Sequence, residues 1–384
     1  MTRLSSWFDR RSKKREAGLQ AGDFPARLET GLSRDKTGLY CFAPLEFACS
    51  RRRKPARTPR RIAGFLLFAV FGFQAFGAES AEPAPSSRVK SLKITILSTM
   101  LADGLAPLGE WGFSALVEAD GHRILFDTGG HTDVVLRNAQ ALHIDLTTVP
   151  DVVLSHFHAD HTTGFLPLRR SVLKSAPQAL ARTHVAEGIF YPRPITPGGA
   201  DDNEMPLIKP EYEATGGVFL VHARPVQLYP GVWLTGPVPR KYPEHNWSGS
   251  LKVKTPQGLA EDTVPEDMAL VCDTDDGLVV LTGCAHAGVI NIIDYAQSFI
   301  RPARVHALVG GIHLFAASDA TLRWTAEKLR AFGLDSFIGA HCTGIETVFR
   351  FRQDLGLDRA HAVVGAVGAT FELGRGIGPG AIAR

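Results

Sequence analysis

The sequence has few cysteines and no hydrophobic run of the length that a spanning helix needs. Five cysteines occur among 384 residues, at spacings that form no disulfide framework. The longest strongly apolar run, residues 62–73, holds twelve residues, whereas a transmembrane helix needs about 20. No internal repeat is visible. These absences argue against a disulfide-stapled scaffold, a membrane span at residues 62–73 and a repeat architecture.

The sequence also has no excess of basic residues once its amino-terminal segment is set aside. Residues 1–61 contain 16 Lys/Arg and 6 Asp/Glu, whereas the rest of the chain contains 26 and 33. The net charge of +3 therefore hides a mildly acidic remainder, which indicates no nucleic-acid partner. With 45% hydrophobic residues, the chain is long and apolar enough for a large enzyme core.

The amino-terminal segment is typical of a secretory signal. Residues 51–61 are cationic, residues 62–73 are apolar, and small residues follow at cleavage-type spacing. We therefore predict a signal peptide over 51–77, cleaved after Gly77, and a periplasmic or secreted mature protein. A retained amino-terminal membrane anchor is the alternative.

The signal divides the chain into further segments. Residues 1–50 precede it, and we expect either a translation start placed too far upstream or a disordered or cytoplasmic extension. Residues 78–90 are rich in Ala, Pro and Ser and are predicted to be a linker. A single catalytic domain is expected over 91–384.

Four potential metal ligands follow one short apolar run. Val152–Leu154 predict a buried strand, and the loop after it carries His156, His158, Asp160 and His161. Imidazole and carboxylate groups suit zinc and similar divalent ions, and four on one loop exceed what a single tetrahedral ion usually takes from one segment. The spacing therefore predicts two metals side by side, a geometry that activates water.

Two later histidines repeat this design. An apolar run at 278–282 leads to His286, and a second run at 337–339 leads to His341, each with a glycine nearby. Either histidine alone is more often a structural residue than a ligand. Three such loops support one another, because strand ends at one sheet edge converge in space.

These motifs resemble a known family. The run His-x-His-x-Asp-His, the later Gly-Cys-Ala-His and the final Ala-His-Cys are similar to the metallo-β-lactamase-fold hydrolase superfamily. Four segments resemble its branch described as 7,8-dihydropterin-6-methyl-4-(β-D-ribofuranosyl)aminobenzene-5′-phosphate synthase-like: Gly112–Glu118, Thr282–Asn291, Gly310–Leu314 and His341–Gly344. The resemblance covers roughly residues 92–374. It implies an α/β fold, an αββα sandwich of two mixed β-sheets flanked by helices.

The resemblance also implies a ligand set. Six principal metal ligands are expected in two groups: His156, His158 and His286 for the first metal, and Asp160, His161 and His341 for the second. Asp127, at the end of the apolar run Ile124–Phe126, matches a position that orients the metal loop from behind the ligands.

One position departs from the superfamily pattern. Many members place a bridging Asp between the last two histidine motifs, where this sequence has His313. A neutral imidazole has one free lone pair and cannot bridge two cations. His313 is therefore a terminal ligand of the second metal, a proton donor to the leaving group, or a structural residue. Cys284 and Cys342 sit near the implied ligands; a metal role is the alternative to packing under the loops, which the sequence favours.

The remaining pattern predicts alternating strands and helices. Strands are expected over 92–97 and 113–118, a hairpin from 268–272 and 278–282 about 275–277, and helices over 132–142, after 161, over 289–299 and over 321–332, the last capped by Ser318 or Asp319.

A Pro- and Gly-rich stretch between Gly188 and Thr263 is predicted to be a long irregular insertion that shapes the pocket. Within it, four residues are candidates for contacting an anionic or ring-bearing substrate, with ordinary surface roles as the alternative: Arg240, Lys241, Tyr242 and His245.

The function predicted is a binuclear metal-dependent hydrolase. Coordination lowers the pKa of bound water from about 15.7 to about 7, and the metal-bound hydroxide would attack an ester, lactone or phosphoester-type small molecule. Asp160 would orient the nucleophile or relay its proton, and His313 is the other candidate catalytic residue. Two divalent ions are expected as cofactors, Zn²⁺ first, with Fe or Mn as alternatives. The expected partner is a small-molecule substrate, with no nucleic acid and no stable membrane anchor after signal cleavage.

Two other functions stay open. One is the condensation named by the branch, in which a pterin methyl carbon is joined to an aminobenzene nitrogen; export of the protein argues against it. The other is a secreted metal- or ligand-binding protein without catalysis, which the complete ligand set argues against.

Overall fold

Apolar runs of three to seven residues, separated by glycine-containing turns, fold into the strands of two β-sheets. The computed structural model describes residues 88–195, 201–247 and 250–383. The strands in chain order are β1 (Leu92–Ser98), β2 (Ser114–Ala119), β3 (His122–Phe126), β4 (Asp151–Val153), β5 (Arg182–Ala186), β6 (Val218–His222), β7 (Val226–Tyr229), β8 (Val232–Leu234), β9 (Lys252–Thr255), β10 (Gly258–Glu261), β11 (Leu270–Thr274), β12 (Gly277–Thr282), β13 (Val305–Gly310), β14 (Ser336–Gly339), β15 (Ala362–Val364), β16 (Thr370–Glu372) and β17 (Gly376–Gly378).

Both sheets are mixed. The first has the strand order β17-β16-β1-β2-β3-β4-β5-β6, and the second has the order β15-β14-β13-β12-β11-β8-β7. Strands β3 to β6 run parallel, as do β12 to β15, whereas the other neighbours are antiparallel. Strands β9 and β10 form a separate hairpin.

Helices cover the outer face of each sheet. A core between the sheets contains residues such as Ile94, Leu281 and Phe371, and a further apolar cluster lies between each sheet and its helices. These are the four layers of the predicted αββα sandwich, which is confirmed. The α-helices are α1 (Val134–Ala141), α2 (Ala159–Thr162), α3 (Phe165–Val172), α4 (Met205–Glu213), α5 (Val289–Phe299), α6 (Asp319–Ala331) and α7 (Ile345–Leu355).

Local sequence explains several element boundaries. Helix α6 begins after Ser318, whose side chain accepts a hydrogen bond from the Thr321 N–H, as a capping serine does. Strand β12 is buried along its whole length, because it is covered on both faces. Strand β11 begins two residues later than predicted, since the Met268 N–H donates to the Ser155 carbonyl and not to the ladder.

The prediction that the stretch between Gly188 and Thr263 is irregular was wrong, although residues 243–247 within it do line a cavity, as the pocket-shaping role requires. This stretch contains helix α4 and the strands β6 to β10; β6 closes one edge of the first sheet, and β7 closes one edge of the second. Its many Pro and Gly residues separate short strands, and turn residues at such density hid the strands from the sequence pattern.

The predicted segments before the domain fall largely outside the described residues. The extension at 1–50, the signal peptide at 51–77 and most of the linker at 78–90 lie there. The end of that linker already belongs to the fold: Val89 is buried, and its N–H donates to the Asp273 carbonyl at 2.8 Å. In the described ranges, no helix combines the length and apolarity that crossing a bilayer requires.

Candidate metal centre

The histidine loop is held by Asp127, which follows strand β3. Strands β3 and β4 are parallel neighbours, so their carboxyl ends lie side by side. One oxygen of Asp127 accepts from the Ser155 N–H, and the other accepts from the Ser155 hydroxyl, both at 2.7 Å. The second oxygen also accepts from Nδ1 of His161 at 2.8 Å. This buried carboxylate therefore positions both the start and the end of the loop.

The first predicted ligand group converges. Nε2 of His156 lies 2.9 Å from Nδ1 of His158, and the His286 ring centroid is 4.8 Å from each of those two rings. The Asn246 carbonyl accepts a hydrogen bond from Nδ1 of His286, which leaves Nε2 of that ring with its lone pair facing the other two histidines. The three nitrogens lie within 4.8 Å of one another.

The second predicted group converges beside the first. Asp160 lies in the short helix α2, and its Oδ2 is 3.2 Å from Nε2 of His341, while its Oδ1 is 3.9 Å from Nε2 of His161. The rings of His156 and His161 have centroids 4.2 Å apart. The structure thus brings all six principal residues together at the carboxyl ends of β4, β12 and β14.

Burial keeps the first group neutral. Removal from water disfavours the imidazolium form and, together with the neighbouring histidines, holds the pKa of His156 and of His286 well below the usual value. The same burial lowers the pKa of His158 to about 3. Three neutral imidazoles with converging lone pairs are the donors that a divalent cation takes.

The second group carries charge. Burial raises the pKa of Asp160, but His161 and His341 outweigh burial and hold that pKa far below its usual value. For His161, burial lowers the pKa, but the Asp127 and Asp160 carboxylates raise it by more, and the net result is a pKa of about 9. A cation that binds at His161 must therefore displace a proton, as metal binding to titrating ligands does.

His313 lies beside the first group and beside two cysteines. Its ring centroid is 4.6 Å from that of His286, and its ring nitrogen belongs to a cluster with the sulfurs of Cys284 and Cys342. Its backbone has φ of +51°, a left-handed conformation that non-glycine residues adopt rarely and often near functional sites. The neighbours of His313 thus include one imidazole of the first group and two thiols.

Both cysteines lie inside the centre. The sulfur of Cys284 is 3.2 Å from Nε2 of His161 and 3.2 Å from the sulfur of Cys342. The sequence favoured packing beneath the loops, and both residues are indeed buried. Cys284 stands two residues before His286, and Cys342 stands one residue after His341. This closeness in sequence to two predicted ligands is the signal that indicates their location in the centre.

Three of the four predicted substrate residues have hydrogen-bond or ion-pair partners within the protein, although Nε of Arg240 is buried without one among the described residues. The Arg240 guanidinium donates to the backbone carbonyls of residues 263 and 264. Lys241 pairs with Asp294 at 3.0 Å, and the Tyr242 hydroxyl donates to the same carboxylate at 3.1 Å. A substrate role for these three residues is therefore not supported.

His245, the fourth, lines a cavity of about 510 Å³ next to the centre. Its ring lies 4.0 Å from that of Trp247. The volume is within the usual range for a small-molecule site, and the cavity joins the metal ligands through His313. Its walls are formed by Pro243, Glu244, His245, Asn246, Trp247, His313, Leu314, Phe315, Ala316, Ala317, Ala320, Thr321, Trp324 and Thr325.

Comparison with known proteins agrees with this arrangement. Residues 112–172, which include the histidine loop, match the family model of the metallo-β-lactamase superfamily. The crystal structure of Tm1679, a metal-dependent hydrolase of the β-lactamase superfamily, is similar at 28% identity and a TM-score of 0.55, over 69% of this chain and 93% of that one. In its fold and its strand-end ligands, the chain is similar to members of the metallo-β-lactamase superfamily.

Two proteins of Methanocaldococcus jannaschii are similar in sequence. One is 7,8-dihydropterin-6-methyl-4-(β-D-ribofuranosyl)-aminobenzene-5′-phosphate synthase, 26% identical over 286 residues, which are 72% of this chain and 96% of the relative. The other is an uncharacterized protein, 27% identical over 245 residues, which are 63% of this chain and 87% of the relative.

Proposed function

We propose that this protein is a binuclear metal-dependent hydrolase of small-molecule esters, lactones or phosphoesters. The observation that carries the proposal is the presence of two adjoining donor groups at one end of the sandwich, beside a cavity of about 510 Å³. A family whose members are mostly metal-dependent enzymes supports it, as does a similar structure described as a hydrolase.

The residues present fit divalent cations. Nε2 of His286 and Nδ1 of His341 are buried and make no hydrogen bond to any described residue. Buried polar nitrogens are costly unless they have a partner, and a bound cation would supply one. His156, His158 and His286 would hold one ion, and the second ligand group would hold another, with Zn²⁺ as the first expectation and Fe or Mn as alternatives.

Bound cations would supply Lewis-acid polarisation of the substrate and a lower pKa for water at the centre. The protein's own side chains would orient the ligands and the attacking water and would exclude other water from the substrate. Asp127 fixes the ring of His161 through the hydrogen bond at Nδ1. Asp160, whose side chain is 23% exposed, is the only carboxylate of the six principal residues, and it would accept a hydrogen bond from attacking water. The aromatic walls would exclude water from a bound substrate.

The test is a His158→Ala variant of the mature protein. We expect it to lose bound metal and turnover on a panel of phosphoesters, lactones and carboxylic esters. His361→Ala is the matched control, because that exposed histidine pairs only with Asp358 on the surface. Full activity of the His158→Ala protein in excess chelator would contradict the proposal.

A second candidate is a synthase-like condensation of a reduced pterin with an aminobenzene ribofuranosyl phosphate. The similarity to the archaeal synthase along nearly its whole length favours it, and Trp247 and Trp324 give the cavity aromatic walls on which a flat ring could stack. Incubation of the metal-loaded protein with a reduced pterin and the aminobenzene substrate would separate the two candidates. Product formation without hydrolysis of the panel would favour the synthase.

We also propose that the mature protein is exported. The cationic, apolar and small-residue order of residues 51–77 supports this. Amino-terminal sequencing of protein recovered from the periplasm or medium is expected to begin at Ala78; an intact amino terminus in the cytoplasm would refute export.

A further inference from the structure

Two cysteines and one histidine form a cluster of their own behind the six principal residues. The sulfur atoms of Cys284 and Cys342 lie 3.2 Å apart, and a ring nitrogen of His313 lies within 4.8 Å of both. The two cysteines are almost fully buried. Both are free thiols.

The order of the strands in the second sheet brings the three residues of this cluster together. Strands β12, β13 and β14 are parallel neighbours, and each of their carboxyl ends delivers one member: Cys284, His313 and Cys342 in turn. The approach depends on Gly311, where an added Cβ would lie 2.8 Å from the Cys342 sulfur and 2.2 Å from the Gly283 carbonyl oxygen. No side chain larger than hydrogen fits between these loops.

The cluster also contains a buried polar atom without a hydrogen-bond partner among the described residues. Nδ1 of His313 is buried and makes no well-aligned hydrogen bond to the rest of the described chain. An unpaired buried nitrogen costs free energy, and a cation at the centre of the cluster would remove that cost. His313 also lines the cavity beside the centre.

We propose that Cys284, Cys342 and His313 form a thiolate metal site adjoining the histidine–aspartate centre. Two thiolates and one imidazole are a donor set for Zn²⁺ or another borderline-soft divalent ion. With metal–sulfur bonds of about 2.3 Å, tetrahedral sulfurs stand about 3.8 Å apart, close to the spacing already present. Binding would release one proton from each thiol to solvent, with no change of oxidation state.

The Cys284 sulfur also links this site to the second ligand group, since it lies 3.2 Å from Nε2 of His161. An anionic thiolate at Cys284 would supply negative charge beside the second ligand group. The thiolate site would therefore stabilise cation binding at the adjoining centre as well as its own ion.

Cobalt substitution of the full chain tests the site. We expect wild-type protein reconstituted with Co²⁺ under reducing conditions to show thiolate-to-cobalt charge-transfer absorption in the near ultraviolet. Cys284→Ala and Cys342→Ala should each lose half or more of this absorption. Cys272→Ala is the matched control, because Cys272 is buried in the core between the sheets and should leave the absorption unchanged. His158→Ala should keep it, which separates this site from the proposed hydrolase centre.

Three outcomes would overturn the proposal. They are the absence of charge-transfer absorption in cobalt-saturated wild type, full absorption in Cys342→Ala, or a Cys284–Cys342 disulfide in protein purified natively. If either alanine variant fails to fold by circular dichroism, X-ray absorption of the wild type decides. A sulfur shell at about 2.3 Å from zinc supports the site, and a shell of nitrogen and oxygen alone rejects it.

Discussion

Replacing Asp127 with asparagine should weaken both metal binding and the fold. In the wild type, Oδ2 of Asp127 accepts hydrogen bonds from the Ser155 hydroxyl and from Nδ1 of His161. Asparagine puts an NH₂ group at that place, so His161 must give up its Nδ1 proton to accept from it. The ring then carries its proton on Nε2, the nitrogen that faces the candidate metal position.

The magnitude follows from these contacts. Two charge-assisted hydrogen bonds at Oδ2 are replaced by neutral ones. Each replacement loses about 1–1.5 kcal/mol, so the cost is about 2–3 kcal/mol of unfolding free energy. Loss of a residue that orients a metal-binding histidine typically lowers metal affinity 10–100-fold. The Ser155 N–H, bonded to the other oxygen, keeps its acceptor, so the histidine loop should remain in place.

Two measurements check this expectation. Urea unfolding in chelator gives the stability of the metal-free protein, and competition with a chromophoric chelator gives the zinc affinity. Asp133→Asn is the control, because Asp133 is an exposed partner in a 3.7 Å surface pair and should change stability by less than about 0.5 kcal/mol. The tautomer argument is refuted if Asp127→Asn binds zinc within threefold of wild type.

Three further changes test other parts of the structure. Arg193→Met leaves Asp262 and Glu266 buried and unpaired, so urea unfolding should show a loss of about 3–5 kcal/mol; a loss below 1 kcal/mol would show that the pair is not needed. Tyr229→Phe removes a hydroxyl bonded to a buried carboxylate and should cost about 1 kcal/mol with metal content unchanged, as elemental analysis would check. Trp324→Ala removes one wall of the cavity and should raise KM for a hydrolysed substrate while kcat changes little; an unchanged KM would place the substrate elsewhere.

Much of the architecture could be predicted from local sequence. Helix α5 has the predicted limits, and α6 begins at the predicted Ser318 cap, because apolar periodicity and capping are properties of neighbouring residues. The stretch between Gly188 and Thr263 was misjudged for the opposite reason. Its strands are short and closely spaced by turn residues, and pairing with partners in other segments, such as β8 with β11, is what stabilises them.

Some functional residues could likewise be recognised from local sequence, and others could not. One tight loop holds four of the ligands, His156, His158, Asp160 and His161, and this clustering makes them recognisable. Arg240 has the charge expected of a residue that binds an anionic substrate, but its guanidinium binds backbone carbonyls inside the fold. The direction in which a side chain points is set by contacts with residues far along the chain, and composition does not record it.

The sequence by itself determined which groups are available and that they stand at strand ends, since both properties are local. Only the tertiary structure decided which of them meet. The sulfurs of Cys284 and Cys342 are separated by 58 positions in sequence and touch in space, because parallel pairing of β12, β13 and β14 aligns the ends of three strands. Sheet order sets that convergence, and sheet order depends on burial of the whole apolar core.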